Sequence, residues 1–201
     1  MKKLIAIVAT LLITMSSFAQ NYQNNITVSG SHTYDISPQY TTKMVASLTN
    51  VYYDAEITCL DDVTLGYYEK LNKAGISRDQ ISEDQLHYAL LGYEKKGTIV
   101  VFKSSSLKDT QTFLEVKAPG ITRSDTTLDL EFTDAQLAEY SEAAFKNAKG
   151  KASAIAAKIG RKIGKAIYIN DTNLNKISES MYYANKKETR AYNISVSFEL
   201  L

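Results

Sequence analysis

The sequence predicts an α+β fold, an antiparallel-rich sheet packed by one long alanine-rich helix and shorter helices. Three observations carry that prediction. Residues 133–160, TDAQLAEYSEAAFKNAKGKASAIAAKIG, bear helix signals from end to end. Near the other end of the scale, Tyr192, Ile194, Val196, Phe198 and Leu200 alternate strictly with Asn193, Ser195, Ser197 and Glu199, the period of two of a half-buried strand. Strand-like segments also come in runs broken by helices rather than in strict alternation with them, which favours α+β over a doubly wound sheet.

The long helix is expected to be the centre that the other elements cover. Thr133 is a good N-cap, and Gln136 three residues on completes a capping box. Asp134, Glu139 and Glu142 fall in its first half and Lys146, Lys149, Lys151, Lys158 and Arg161 in or just after its second, the order that suits the helix dipole. Placed at 100° per residue, Leu137, Ala144, Phe145, Ala148, Ala152, Ile155, Ala156 and Ile159 share one sector. An alanine-dominated face lets the helix lie close against its sheet, and Gly150, off that sector, marks a bend.

The remaining elements follow in order. Ile26 to Gly30 reads as a short strand ending in a turn, and Tyr34 to Pro38 as a second extended piece. From Thr42 an alternating strand runs to about Tyr53. Thr42, Met44, Ala46 and Leu48 face one way and the half-polar set Lys43, Val45, Ser47 and Thr49 the other, so both faces are partly covered. Leu60, Val63, Tyr67, Leu71 and Ala74 recur at helical spacing, with Asp61 three residues after Thr58 as the capping signal and Gly75-Ile76 as a Schellman ending. Residues 81–93 fit strand or helix equally. Thr98 to Phe102 is a buried strand, and Ser104 to Ser106 cap a short helix marked by Leu107, Phe113 and Leu114. Leu128, Leu130 and Phe132 form a strand into the long helix. Residues 160–164 make its exit, Ala166 to Ile169 a strand, and residues 170–189 a polar loop.

The first residues read as a targeting segment. Lys2 and Lys3 precede the apolar run Leu4 to Ile13, and Ser17-Phe18-Ala19 forms a small-x-small cleavage site. Residues 1–19 are therefore expected to be a signal peptide, and 20–201 a single domain or two intimate lobes. The chain holds 23 basic and 22 acidic residues, and losing Lys2 and Lys3 makes it slightly acidic, a balance that calls for no nucleic acid. Cys59 is the single cysteine, so no intramolecular disulfide can form, and its place at a helix entrance suggests a buried, inert thiol. Fourteen tyrosines and no tryptophan supply amphipathic aromatics suited to sheets and subunit interfaces.

Little chemistry emerges from the residues. His32 and His87 fall in different elements with no Cys or carboxylate at metal-ligand spacing. Asp61-Asp62 reads as helix N-terminal charge and Glu83-Asp84 as surface, since adjacent side chains diverge. Nucleophile-elbow, phosphate-loop and dinucleotide motifs are missing, and Gly160 to Gly164 lacks the strand and helix that phosphate binding needs. The stretch from Lys146 to Lys165 carries seven basic residues and no acidic one, which reads as a solvated face complementing the helix end, with anionic lipid headgroups as the functional rival. No catalytic, cofactor or metal residues are assigned, and the expectation is a protein that is not an enzyme.

Taken together, several segments resemble the SIMPL-domain family, which includes bacterial periplasmic immunogenic and oxidative-stress-related periplasmic proteins. The resemblance lies in Ile26-Thr27-Val28-Ser29-Gly30 with Ile36-Ser37-Pro38, and in the helix ending Ala74-Gly75-Ile76. It is strongest in the alanine-spaced helix into Ile159-Gly160-Arg161-Lys162-Ile163-Gly164-Lys165, and it closes with Ile194 to Leu200. Departures are His32 where members carry a second glycine and Gln39 where they carry an acidic residue. The resemblance implies an α+β fold, export to the periplasm or outer membrane, assembly into ring-like homo-oligomers and a role in envelope or oxidative-stress physiology, with no established activity. Peripheral contact with the envelope or a membrane surface is a further expected partner. The rival readings are a small outer-membrane β-barrel, suggested by the tyrosines and the last strand, and a ligand-binding or enzymatic domain whose dispersed site would surround His32 or His87.

Overall fold

The computed structural model describes residues 24–51, 57–182 and 188–201; the targeting segment read at 1–19 lies outside them. The elements run β1 (Asn25–Asp35), β2 (Gln39–Ser47), α1 (Leu60–Lys73), β3 (Ile81–Asp84), α2 (Gln85–Leu90), β4 (Gly97–Ser104) and α3 (Leu107–Glu115). They continue with β5 (Ile121–Glu131), α4 (Asp134–Lys158), β6 (Ile163–Asp171), β7 (Lys176–Ser180) and β8 (Thr189–Leu200). The described strands form two open antiparallel sheets, β3-β4-β2-β5-β7 and β1-β8-β6. The fold is α+β, and this is not the architecture of a closed barrel. No described helix is long and apolar enough to cross a membrane.

Two units share the chain. The larger holds Tyr34–Leu137 and Leu174–Arg190, the smaller the described residues up to Thr33 with Ala138–Asn173 and Ala191–Leu201.

In the larger unit, α1 and α3 cover one face of the five-stranded sheet. Met44 and Ala46 of β2 and Val100 and Phe102 of β4 meet Val63, Tyr67 and Leu71 of α1 and Phe113 of α3. Phe102 and Phe113 stack with ring centroids 4.8 Å apart. Burying side chains of this size contributes about 1.5–3 kcal/mol each. The core of this unit thus belongs to elements other than the long helix. Helix α1 has Cys59 as its N-cap, and Asp62 rather than Asp61 closes the cap, accepting from the backbone N–H groups of Thr58 and Cys59 at 2.9 Å. Those bonds hold the Asp62 carboxyl below the usual range. Cys59 itself is exposed, not buried. At the other end Gly75 takes φ 91°, and the Ile76 N–H donates to the Leu71 carbonyl at 2.9 Å, the Schellman closure read from Gly75-Ile76.

Residues 81–93 contain both candidates in succession, β3 then α2, with the Asp84 carboxylate capping the helix by accepting from the His87 N–H at 2.8 Å. Strand β2 stops earlier than expected, at Ser47. Its hydroxyl accepts from the Thr49 N–H at 3.0 Å and caps a 3₁₀ turn over Leu48–Asn50. The polar stretch read as a loop supplies a fifth strand, because β7 pairs Ser178 with Asp129 and Lys176 with Glu131 of β5.

In the smaller unit, α4 lies on the three-stranded sheet. The first turn of α4, which belongs to the larger unit, carries the expected capping box of Thr133 and Gln136, with the Gln136 N–H donating to Thr133 Oγ1 at 3.2 Å and the Thr133 N–H to Gln136 Oε1 at 2.9 Å. Ala144, Ala148, Ala152 and Ala156 are fully buried at a spacing of four. Gly30 is no turn: it lies mid-strand in β1, and a Cβ there would sit 2.1 Å from the Ala144 carbonyl oxygen and 2.8 Å from the Ala148 Cβ. The small residue is needed because backbone meets backbone. Ile155 and Ile159, expected in the buried sector, are 48% and 59% exposed. The alanines make the close contact with the sheet, Phe145 packs on Phe198 beside them, and Ile155 and Ile159 fall outside that contact.

Candidate functional site

Strand alternation places the side chains of the larger unit's uncovered sheet face. Opposed residues in an antiparallel ladder share a face, so Thr41 with Lys103, Lys43 with Val101 and Val45 with Ile99 all point away from α1 and α3. At one end of this face α2 folds over. Tyr88 packs on Val45 and Ile99, and its hydroxyl bonds the Ser47 hydroxyl at 2.6 Å and donates to the Lys95 carbonyl at 2.8 Å. Its ring also lies so close to Gly97 that a Cβ there would be 2.2 Å from Cζ. The expectation that both faces of this sheet are partly covered is met in this way.

The other end stays open as a trough of about 790 Å³. Asp129 is its centre. Thr41 donates to Asp129 Oδ2 at 2.6 Å, Thr127 to the same oxygen at 3.2 Å and Ser178 to Oδ1 at 2.5 Å. Partial burial works to raise this carboxyl. The bonds from Ser178, Thr41 and Thr127, with the charge of Lys176, outweigh it and hold the group below the usual carboxylate range. On the rim, Glu83 accepts from Arg78 at 2.8 Å and from the Tyr68 hydroxyl at 2.7 Å. The Arg78 guanidinium also lies 4.2 Å over the Tyr68 ring.

A second surface belongs to the smaller unit. β1 and β6 are the edges of its sheet. Edge strand β6 exposes Ile167, Tyr168 and Ile169, the last two by 61% and 52%. Beside it, Ile169 and Ile194 with Phe145, Glu142 and Ser141 line a shallow groove of about 260 Å³. Phe145 closes the groove's floor against Phe198, ring centroids 5.8 Å apart.

The residues singled out in the sequence do not meet. His32 of the smaller unit lies against Tyr140 at 5.3 Å, and His87 of the larger lies 3.9 Å from Asp84. Neither lines the trough or the groove. Asp62 and Asp84 serve as caps, and Glu83 and Asp84 contribute only rim. Much of the basic stretch is spoken for. Lys146 pairs with Glu142 at 2.6 Å, Lys151 donates to the Ser29 carbonyl at 3.0 Å, and Lys165 lies 3.6 Å from Glu199. Arg161 donates to the Leu200 carbonyl and to Asn24. Among the described residues no three His, Cys, Asp or Glu groups gather as metal ligands would.

Sequence reasoning passed over Lys43, Lys103, Asp129 and Ser178. The half-polar second face of β2 was the available signal, but its partners lie on three other strands, and β7 was read as loop. A family model matches residues 15–199, that of SIMPL, a protein of unknown function (DUF541). No curated protein matches the chain.

Proposed function

The chain belongs to the SIMPL family, and on that premise we propose that it is a non-enzymatic exported protein of the periplasm or outer membrane that assembles with copies of itself. Edge strand β6 carries this reading. An exposed edge presents unpaired N–H and C=O groups, and proteins ordinarily blunt such edges with charge, proline or cover. Here Ile167, Tyr168 and Ile169 make it apolar, and the groove at Phe145 extends it. The opposite edge, β1, is a different surface. Pairing β6 of one copy with β1 of the next would be head-to-tail, a contact that closes into a ring or runs on as a filament.

Native mass measurement of the mature protein tests this, together with the double variant Ile167→Lys and Ile169→Lys. The expected outcome is a high-mass species for the parent and a monomer for the variant with unchanged circular dichroism. A parent that stays monomeric at every concentration defeats the reading. Export is supported by the basic, apolar and small-residue order of residues 2–19, and the N-terminus of the mature protein checks it. The absence of a nucleophile–base pair in the sequence motivates the non-enzymatic part, which turnover in a broad hydrolase screen would refute. Exposed Lys149 and Lys158 support peripheral contact with the envelope, read out as salt-sensitive retention on anionic vesicles. A role in envelope or oxidative stress would be lost if a deletion strain tolerated both stresses as well as its parent.

A further inference from the structure

We propose that the open trough on the five-stranded sheet binds a small hydroxylated anion of the sugar-acid class, its carboxylate on Lys43 and Lys103 and its hydroxyls over Thr41, Asp129 and Ser178. The first argument is uncompensated charge. Thr41 opposes Lys103 and Lys43 opposes Val101, so the two lysines are diagonal neighbours on one face, about 7–8 Å apart at the backbone. Lys43 is half-buried on β2, which is flanked by strands on both sides. No carboxylate oxygen of the described residues comes within 4.0 Å of either ammonium. Of the acids lining the trough, Glu83 is bonded by Arg78 and Tyr68, Asp84 caps α2, Asp129 accepts from three hydroxyls, and Glu131 stands opposite Lys176 in the β5–β7 ladder, away from the β2–β4 lysines. Two like charges on one concave face are relieved by an anion bridging them.

The second argument is hydrogen-bond polarity. Thr41, Thr127 and Ser178 spend their hydrogens on Asp129, so their oxygens remain as acceptors. Lys43 and Lys103 of β2 and β4 therefore donate at one place and Thr41, Thr127, Asp129 and Ser178 accept at another, with Lys176 of β7 a further donor beside them. A ligand with an anionic group at one end and hydroxyl donors at the other matches both. The trough volume of about 790 Å³ lies in the range of small-molecule sites, and no aromatic ring lines it, which selects a hydrated polar ligand over an apolar one.

Calorimetric titration of the full mature chain with galacturonate, galactose and inorganic phosphate tests the proposal, run in parallel on Lys103→Ala and on Lys43→Ala with Lys103→Ala. The expected result is binding of galacturonate at least roughly tenfold tighter than either control, and a loss of roughly tenfold or more in the variants, the scale of one charge-assisted hydrogen bond. Lys103 is exposed, so Lys103→Ala keeps the fold and its result stands even if the double variant unfolds. Phosphate binding as tightly as galacturonate would reduce the site to a plain anion patch and overturn the hydroxyl half. Equal galactose binding, unaltered binding by Lys103→Ala, or no galacturonate binding would overturn the whole.

Discussion

At the scale of single residues, two glycines predict opposite outcomes. Gly30 faces the Ala144 backbone with no room for a methyl group, whereas nothing lies within 4 Å of a Cβ built on Gly66 in α1. Gly30→Ala should cost about 1–3 kcal/mol by overpacking, and Gly66→Ala should stabilise by about 1 kcal/mol through helix propensity, both read by urea denaturation. Tyr192 gives a pH prediction. Burial first, then the hydrogen bond to Asp171 at 2.5 Å and that residue's charge, push its phenol up from 10.0 to about 12. A raised folded pKa contributes stability fully present below pH 10 and lost as pH rises through about 12. Tyr192→Phe should cost about 1–2 kcal/mol at neutral pH, with the gap to the parent narrowing across that alkaline window. A gap that is flat in pH would mean that the bond adds nothing. Periodicity could not supply these details. Gly30 looked like a turn because its role depends on a helix over a hundred residues away, and Cys59 looked buried because it precedes Leu60 at a helix entrance.

Among the elements, α4 was the most legible, since cap, charge order and alanine spacing all lie within one stretch of chain. Ala148→Phe should overpack its contact with β1 and lower the melting midpoint, at about 1–3 kcal/mol; thermal circular dichroism matching the parent would contradict the contact. What periodicity misplaced was the flank. Ile155 and Ile159 fit the apolar sector as Phe145 does, but only Phe145 meets a large sheet residue, Phe198, and the two isoleucines are left exposed. β7 failed for a different reason. Lys176 to Ser180 has almost no apolar content, and only the ladder to β5, with Ser178 bonded to Asp129, makes it a strand. The trough was illegible for the same cause, because its groups come from β2, β4, β5 and β7 and only tertiary pairing collects them.

For the whole molecule, the fold class and the order of most elements were readable from local pattern and the family from resemblance, while one domain or two lobes was a choice that local pattern left open. Self-assembly through β6 is the prediction at this scale, and its signature is a mass that the two lysine substitutions reduce without loss of secondary structure. The strand order of the smaller sheet has a consequence for how the chain comes to be folded. β8 sits between β1 and β6, and Thr27 of β1 bonds Ser197 of β8 at 2.8 Å across 170 residues. Since the middle strand is made after both of its neighbours, neither has a ladder partner in this sheet while synthesis is under way. The smaller sheet therefore stays unformed until nearly all of the chain has emerged, however early the strands of the larger sheet have paired.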